Sequence, residues 1–354
     1  MVLAYLRITT LGGRYLNLNI IGNGFDLYHG LPSSYYYFGC YLIKNDAEFY
    51  EEIGKMYNFK WMEPIGPPIA HDYKYVVENI FWRDFEKHLG EIDEIFIIDT
   101  HVEDLGLEYN DPVDIEMNED QIAERLKRHF VHWVMETLDK EENYSVIKEF
   151  MKRIGSRVVL NDDDYFLQFN YTHTLQRLYK ITDDKIHYVH GECFGEDDDE
   201  LIIGHGNNQR IDEIKKYIDK LEKDYDFTQR MSNNINEYYC LLRYIERLKK
   251  DVSICSHGCN EFYRRINGNL DCINVYGLSL GDVDIPYLKQ SILRWPNSKW
   301  WFSYYSSEDK SKIVNVATTI LNLNEDEYET FDFSNSLSNK IRERITEIQN
   351  IITY

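Results

Sequence analysis

Long apolar runs are missing from this 354-residue chain. No stretch approaches the roughly 18 apolar residues that a membrane-spanning helix requires, so the sequence predicts no membrane partner. Basic charge is scarce too: 39 Lys and Arg stand against 61 Asp and Glu, a net charge of −22. Nucleic-acid affinity rests on clustered cations at phosphates, and this balance argues against a nucleic-acid partner. The six cysteines, Cys40, Cys193, Cys240, Cys255, Cys259 and Cys272, are scattered. They form no dense framework of the kind that staples small secreted domains, and free thiols in a reducing compartment are the expectation. The start, MVLAYLRITTLGGRYL, has Arg7 among its apolar residues and no long apolar core, so no signal peptide is read. A cytoplasmic protein is expected.

Metal signatures are equally thin. His129 and His132 lie one helical turn apart without an HExxH pattern, and read as packing residues. Cys255, His257 and Cys259 lack an identifiable fourth ligand. No metal is expected. Internal repeats and low-complexity linkers are also absent.

What is present is a set of short strand-like segments separated by long helical ones. LNLNII (16–21), YFLQF (165–169), KIHYVHG (185–191), LIIGHG (201–206), CINVYG (272–277) and KWWFSYY (299–305) read as strands. DYKYVVENIFWRDFEKHL and DQIAERLKRHFVHWVMETL carry apolar residues at helical spacing, and a second helical block runs from about Ile211 to Lys249. PIGPP (64–68) reads as a break, YNDPVDIEMNED (109–120) as an acidic loop, and GEDDDE (195–200) as a solvated loop. Asp284 and Pro286 mark the start of a helix over DIPYLKQSIL. Alternating strands and helices predict an α/β fold with a Rossmann-like parallel sheet and large helical insertions. The nucleotide-binding core is drawn over 16–40, 160–208 and 269–333. The insertions are drawn over 41–159 and 209–268, the second as a possible cap, with a C-terminal helix over 334–354.

Polar residues recur just after the strands. Asn23 and Asp26 follow the first, Asn170 the second, His190 and His205 the next two, and Ser279 follows CINVYG. Open parallel sheets bind ligands outside the carboxyl ends of their strands, so these residues can converge. The turn Gly22-Asn23-Gly24 matches only part of the dinucleotide fingerprint, with Leu27 in place of the third glycine. Phosphate cradling and a plain tight strand-to-helix turn both remain open. Asp26 would repel a phosphate, and a role toward a ribose hydroxyl or a water suits it better. Each residue also has a structural alternative: Asn170 as a helix cap, His190 and His205 as buried histidines, Ser279 as the start of a turn. Trp82 and Glu86 share one helix face, which serves either packing or closure of a site. The Tyr-rich stretch 236–248 lacks the basic density of a base-stacking platform.

The block IIGNGFDLYHGLPSSYYYF closely resembles the N-terminal signature of the AbiH family, bacterial proteins linked to abortive infection by phage. FNYTHTLQRLY, HYVHGE, LIIGHGN and NVYGLSLGDVDIPYL resemble that family's later blocks in the same order. The resemblance covers Leu16 to about Ser306, and the first sixteen residues then read as an extension. The motif order is also similar to the sirtuin-like NAD-binding fold. That similarity implies a nucleotide held by Gly22, Asn23, Gly24, Phe25, His29, Tyr171, His205, Gly277 and Ser279. It implies catalysis by Asn170 and His190, with Asp26 contributing negative potential. Asn23 stands where the sirtuin pattern usually has Ala, Asp26 has no matching acid, and the zinc module of deacylating sirtuins is missing. Simple NAD hydrolysis at the nicotinamide–ribose bond is therefore the implied activity, with NAD as substrate. The competing readings are a nucleic-acid-cleaving toxin, which needs a carboxylate–metal cluster and a basic groove, and a non-enzymatic nucleotide sensor acting through a partner. A homo-oligomer and a phage or defence-system trigger are the expected partners besides the nucleotide.

Overall fold

In the computed structural model the described residues are 16–59, 80–92, 113–154, 158–193, 201–223, 232–335 and 337–349. The expectations for PIGPP, GEDDDE, the N-terminal extension up to residue 15 and the helical pattern over 72–79 fall outside them. The chain divides into two compact units. The first draws on Met1–Pro32, Asp139–His190 and Val252–Ile345, the second on Ser33–Leu138, Gly191–Asp251 and Thr346–Tyr354.

Six parallel strands build the first unit: β1 (Asn17–Ile21), β2 (Tyr165–Gln168), β3 (Ile186–Tyr188), β4 (Cys272–Tyr276), β5 (Lys299–Tyr304) and β6 (Tyr328–Asp332). Their order across the sheet is β3-β2-β1-β4-β5-β6, that of a Rossmann fold, with the topological switch between β1 and β4. The expected α/β architecture, a Rossmann-like parallel sheet with helical insertions, is what the chain adopts. The helices of this unit are α1 (Asn23–His29), α2 (Glu141–Ile154), α3 (Val252–Arg265), α4 (Ile285–Arg294), α5 (Ser307–Asn315) and α6, which begins in it (Ser338–Ile348). As the sequence predicts, α4 starts at Asp284 with Pro286 in its first turn.

Ile21, Phe166 and Tyr276 on one face of the sheet pack with Phe25 and Tyr28 of α1, and with Leu175, Ile186 and Phe333, into a continuous apolar cluster. Burying one such side chain contributes about 1.5–3 kcal/mol. Toward the amino ends of the strands the same face carries a polar ladder. Asn274 donates to Asn19 at 2.9 Å, Asn19 donates to Asp164 at 3.2 Å, and Asn17 donates to the same carboxylate at 3.0 Å. Burial pushes the Asp164 carboxyl up while these amides pull it down. The two asparagines of LNLNII are therefore cross-strand ties inside a sheet that otherwise wants an unbroken apolar run.

Two expectations need correction. LIIGHG is not a strand: it lies in the second unit, extended, with a single parallel bridge from His205 to Lys249. Gly204 sits at φ 152°, and a Cβ there would fall 1.8 Å from the Leu248 carbonyl oxygen, so the segment is fitted to one neighbour instead of a ladder. The acidic stretch 109–120 is not wholly a loop, because the helix Val113–Trp133 already begins within it. The strand that the sequence hid is β6, an edge strand with no fully buried residue and exposed acids at Glu329 and Asp332.

The described residues of the second unit are mostly helical. Phe38, Trp82, Phe85, Phe130 and Trp133 form its aromatic core, with Trp82 stacked on Phe85 at 5.5 Å and on Tyr50 at 5.7 Å. Trp82 is thus a packing residue, and Glu86 on the same face pairs with the buried Lys250 at 2.8 Å. Within the Tyr-rich helix Ser232–Arg247, Tyr244 is fully buried and shares a hydrogen bond with Tyr57 at 2.8 Å. Asp46 caps the helix Ala47–Met56 through the Phe49 N–H and gathers Arg125 and His129, each at 2.7 Å.

Candidate functional site

At the switch point the loops after β1 and β4 close on each other. The Gly22 N–H donates to Tyr276 O at 2.9 Å, and the Gly24 N–H to Gly277 O at 2.8 Å. A Cβ at Gly22 would lie 2.5 Å from Gly277 O, and one at Gly24 would lie 2.6 Å from Gly277 Cα. Gly277 itself has φ +61°, a left-handed conformation that glycine adopts without strain, and its N–H donates to the Ser303 hydroxyl oxygen at 2.7 Å. Both glycines of the turn are accounted for by backbone-to-backbone packing, and the Gly24 amide is already engaged. The Tyr305 hydroxyl donates to Gly24 O and roofs the turn. Asn23 opens α1 beneath this roof, partly buried.

Behind the turn lies Asp26, 1% exposed. Thr172 and Thr174 each donate a hydroxyl to it at 2.6 Å, one to each carboxylate oxygen, and the Asn170 amide adds a third, weaker side-chain donor. Burial dominates nonetheless, and the Asp26 carboxyl is pushed up to about 6. The Asn170 amide nitrogen also donates to Gly22 O at 3.0 Å. With its nitrogen so held, the Asn170 carbonyl oxygen is buried without a hydrogen-bond partner, as is that of Gln168 two residues earlier. Buried acceptors of this kind ask for a donor from a ligand or a water.

The motif NYTHT explains the cluster. Its alternation sends Asn170, Thr172 and Thr174 toward α1 and the turn. His173 instead meets Asp139, which also accepts the Tyr144 hydroxyl at 2.5 Å and the His173 N–H at 3.1 Å. The His173 imidazole holds the Asp139 carboxyl below its usual range against the pull of burial. Thr172, Thr174, Tyr144, Asp139 and His173 were all missed from sequence. The period-two polar alternation after β2 was the available signal.

His190 follows β3, 4% exposed, inside a ring of aromatics: Phe169 at 5.5 Å, Tyr287 at 6.3 Å and Tyr171 at 6.5 Å. Asn170 and His190 therefore stand at the ends of neighbouring strands, β2 and β3, whose extensions are joined by the Val189 N–H to Gln168 O bond.

Other candidates are spoken for. Phe25 is fully buried in the core. His29 donates from Nδ1 to Phe25 O and accepts the Tyr179 hydroxyl at Nε2, both at 2.7 Å. Burial pushes this imidazole down to about 4, so it is a neutral pin between α1 and the π-helical turn Leu175–Tyr179. His205 lies in the second unit, where Nδ1 accepts the Asn207 N–H and Nε2 donates to Ile245 O, both at 3.0 Å. Ser279 is exposed, its hydroxyl donating to Asp284 at 3.0 Å while its carbonyl takes the Lys312 ammonium at 2.6 Å. On α3 Cys255 and Cys259 are buried whereas His257 is exposed and faces Glu261 at 3.7 Å. Among the described residues no three His, Cys, Asp or Glu side chains gather as metal ligands, and no helix is long and apolar enough to cross a membrane.

No curated protein matches the chain. The glycine turn, the NYTHT hub and the loop after β4 all fall within residues 18–304, which match the family described as "Bacteriophage abortive infection AbiH". The match takes in most of the sequence, and the chain belongs to the AbiH family.

Proposed function

We propose that this chain serves the anti-phage, abortive-infection role of its family by binding NAD and hydrolysing it at the nicotinamide–ribose bond. The observation that carries the reading is the Asn170 side chain, whose nitrogen is fastened to Gly22 O while its oxygen is buried without a partner. An acceptor fixed in this way fits a ribose hydroxyl or the attacking water. His190, after the strand beside that of Asn170, is the general base that takes the proton of the attacking water. The aromatic faces of Phe169, Tyr171 and Tyr287 around it suit a ribosyl centre that gains positive charge as the bond breaks. The phosphates are not assigned to the Gly24 amide, which Gly277 already holds.

The test is to incubate purified protein with NAD and, separately, with RNA, at rest and in the presence of phage lysate as trigger, and to identify products by mass spectrometry. Nicotinamide and ADP-ribose are expected. Asn170→Ala and His190→Ala should slow their release by about 100-fold or more, the usual contribution of a positioned acid–base group. Turnover in both variants equal to that of the unaltered protein overturns the residue assignment. Cleaved RNA with intact NAD overturns the reading itself.

A further inference from the structure

We propose that Asp26, Thr172 and Thr174 are positioning residues for Asn170. The two threonine hydroxyls hold the carboxylate, the carboxylate and Gly22 O hold the Asn170 amide nitrogen, and the Asn170 carbonyl oxygen is thereby aimed to accept from a nucleotide's ribose or a water. What that oxygen accepts rests on the NAD-hydrolase reading; the positioning does not.

The geometry gives Asp26 no direct task on substrate. Each of its oxygens is 2.6 Å from a threonine hydroxyl, and its 1% exposure leaves no open face for a sugar. A carboxylate enclosed without a cationic partner is costly, so its retention beside Asn170 calls for a role. An amide nitrogen with carbonyl and carboxylate acceptors cannot exchange places with its oxygen, because an oxygen in that place would face two acceptors. The carboxylate therefore fixes which end of the amide points away from Asp26. Thr174 accordingly spends its hydroxyl on Asp26 and none on capping its own helical turn.

The groups facing Asp26 come from several elements. Besides Asn170 and the two threonines, Asp139 and Tyr144 approach from the start of α2, and Tyr305 from the end of β5. None is a cation: burial and the Asp139 charge raise its titration, the three donors lower it, and it comes to about 6. Protonation turns the carboxyl into a hydroxyl donor on one oxygen and loosens its hold on the Asn170 amide.

The full chain, labelled with 15N at asparagine, supplies the test. The Asn170 side-chain signal is identified by its loss in Asn170→Ala. In the unaltered protein it should titrate with a midpoint near 6. Asp26→Asn should abolish that titration. Thr172→Val and Thr174→Val should each raise the midpoint by about one pH unit or more, since each removes a hydrogen bond to a charge, and the Thr→Ser variants should restore it. NAD turnover measured alongside should fall in kcat with KM nearly unchanged in the Val variants, and recover in the Ser variants. An Asn170 signal indifferent to Asp26→Asn, or Val and Ser variants that behave alike, overturns the positioning role even if NAD is consumed. A signal that responds as stated in a protein that leaves NAD intact under triggering conditions upholds the positioning and removes the hydrolase reading instead.

Discussion

Asp26 and His29 sit one turn apart on α1, and burial moves them in opposite directions. The Asp26 carboxyl rises from 3.8 to about 6, and the His29 imidazole falls from 6.5 to about 4. Between those limits folded Asp26 binds more protons than the unfolded chain does. Its contribution to stability is therefore fully present below pH 3.8 and is lost as pH rises through 6. A rise of about 2.2 pH units at about 1.36 kcal/mol each makes the loss about 3 kcal/mol. His29 works the other way: its contribution is present above 6.5 and is lost as pH falls toward 4, also by about 3 kcal/mol. In the unaltered protein the two slopes nearly cancel across pH 4–6.5. Asp26→Asn removes one of them while keeping hydrogen bonds to Thr172 and Thr174, whose hydroxyls rotate to donate or accept. Urea unfolding of both proteins at half-unit steps from pH 4 to 7.5 isolates the group, because every other titration is common to the pair. The stability of Asp26→Asn relative to the parent should climb by about 3 kcal/mol from pH 4 to 7, roughly 4 °C in Tm for a chain of this length. A flat difference curve refutes the claim that a charged Asp26 is enclosed.

His29→Asn keeps a donor near Phe25 O but does not titrate. Its stability relative to the parent should rise on acidification from pH 6.5 to 4, in the same unfolding series. Gly24→Ala should destabilise the ligand-free protein by about 1–3 kcal/mol or more, because its Cβ meets the Gly277 backbone at 2.6 Å. An unchanged Tm would return the turn to phosphate cradling. Asp46→Ala strips a helix cap and strands Arg125 and His129, and should cost about 2–3 kcal/mol. Asp46→Asn, which can still cap, should cost less in the same melt.

The strands of the core were legible because buried parallel strands leave dense apolar runs such as YFLQF and CINVY, which end abruptly in Gly or Asn. β6 was not, since this edge strand buries none of its residues fully and YETFD is interrupted by the exposed acids Glu329 and Asp332. LIIGHG misled for the converse reason. Leu201 and Ile203 are buried, but the segment's backbone pairs only through His205 with Leu248 and Lys250, in a single bridge. Among the site residues, strand-end position brought out Asn170 and His190, each with its alternative role. It did not separate them from His29 and His205, whose ring nitrogens are satisfied by partners scattered from Phe25 to Ile245. Whether a buried histidine is a pin or a working group depends on such partners, and no local pattern encodes them.

The glycine turn shows most clearly where a motif stops being informative. Glycine is required wherever something approaches the backbone more closely than a Cβ allows, and phosphate is only one such thing. Here the approaching atoms belong to Gly277, held at φ +61° after the partner strand across the switch point. The two loops lock together, and the Gly22 carbonyl oxygen accepts both the Phe25 N–H at 2.9 Å and the Asn170 amide at 3.0 Å. Asp26, which looked misplaced in a phosphate loop, becomes intelligible on the same ground. The Gly24 amide is engaged by Gly277 O, and the residues that Asp26 meets are the alternate side chains of NYTHT. The missing third glycine at Leu27 follows as well. In the dinucleotide fingerprint that glycine serves close helix–strand packing, whereas α1 packs through Phe25 and Tyr28.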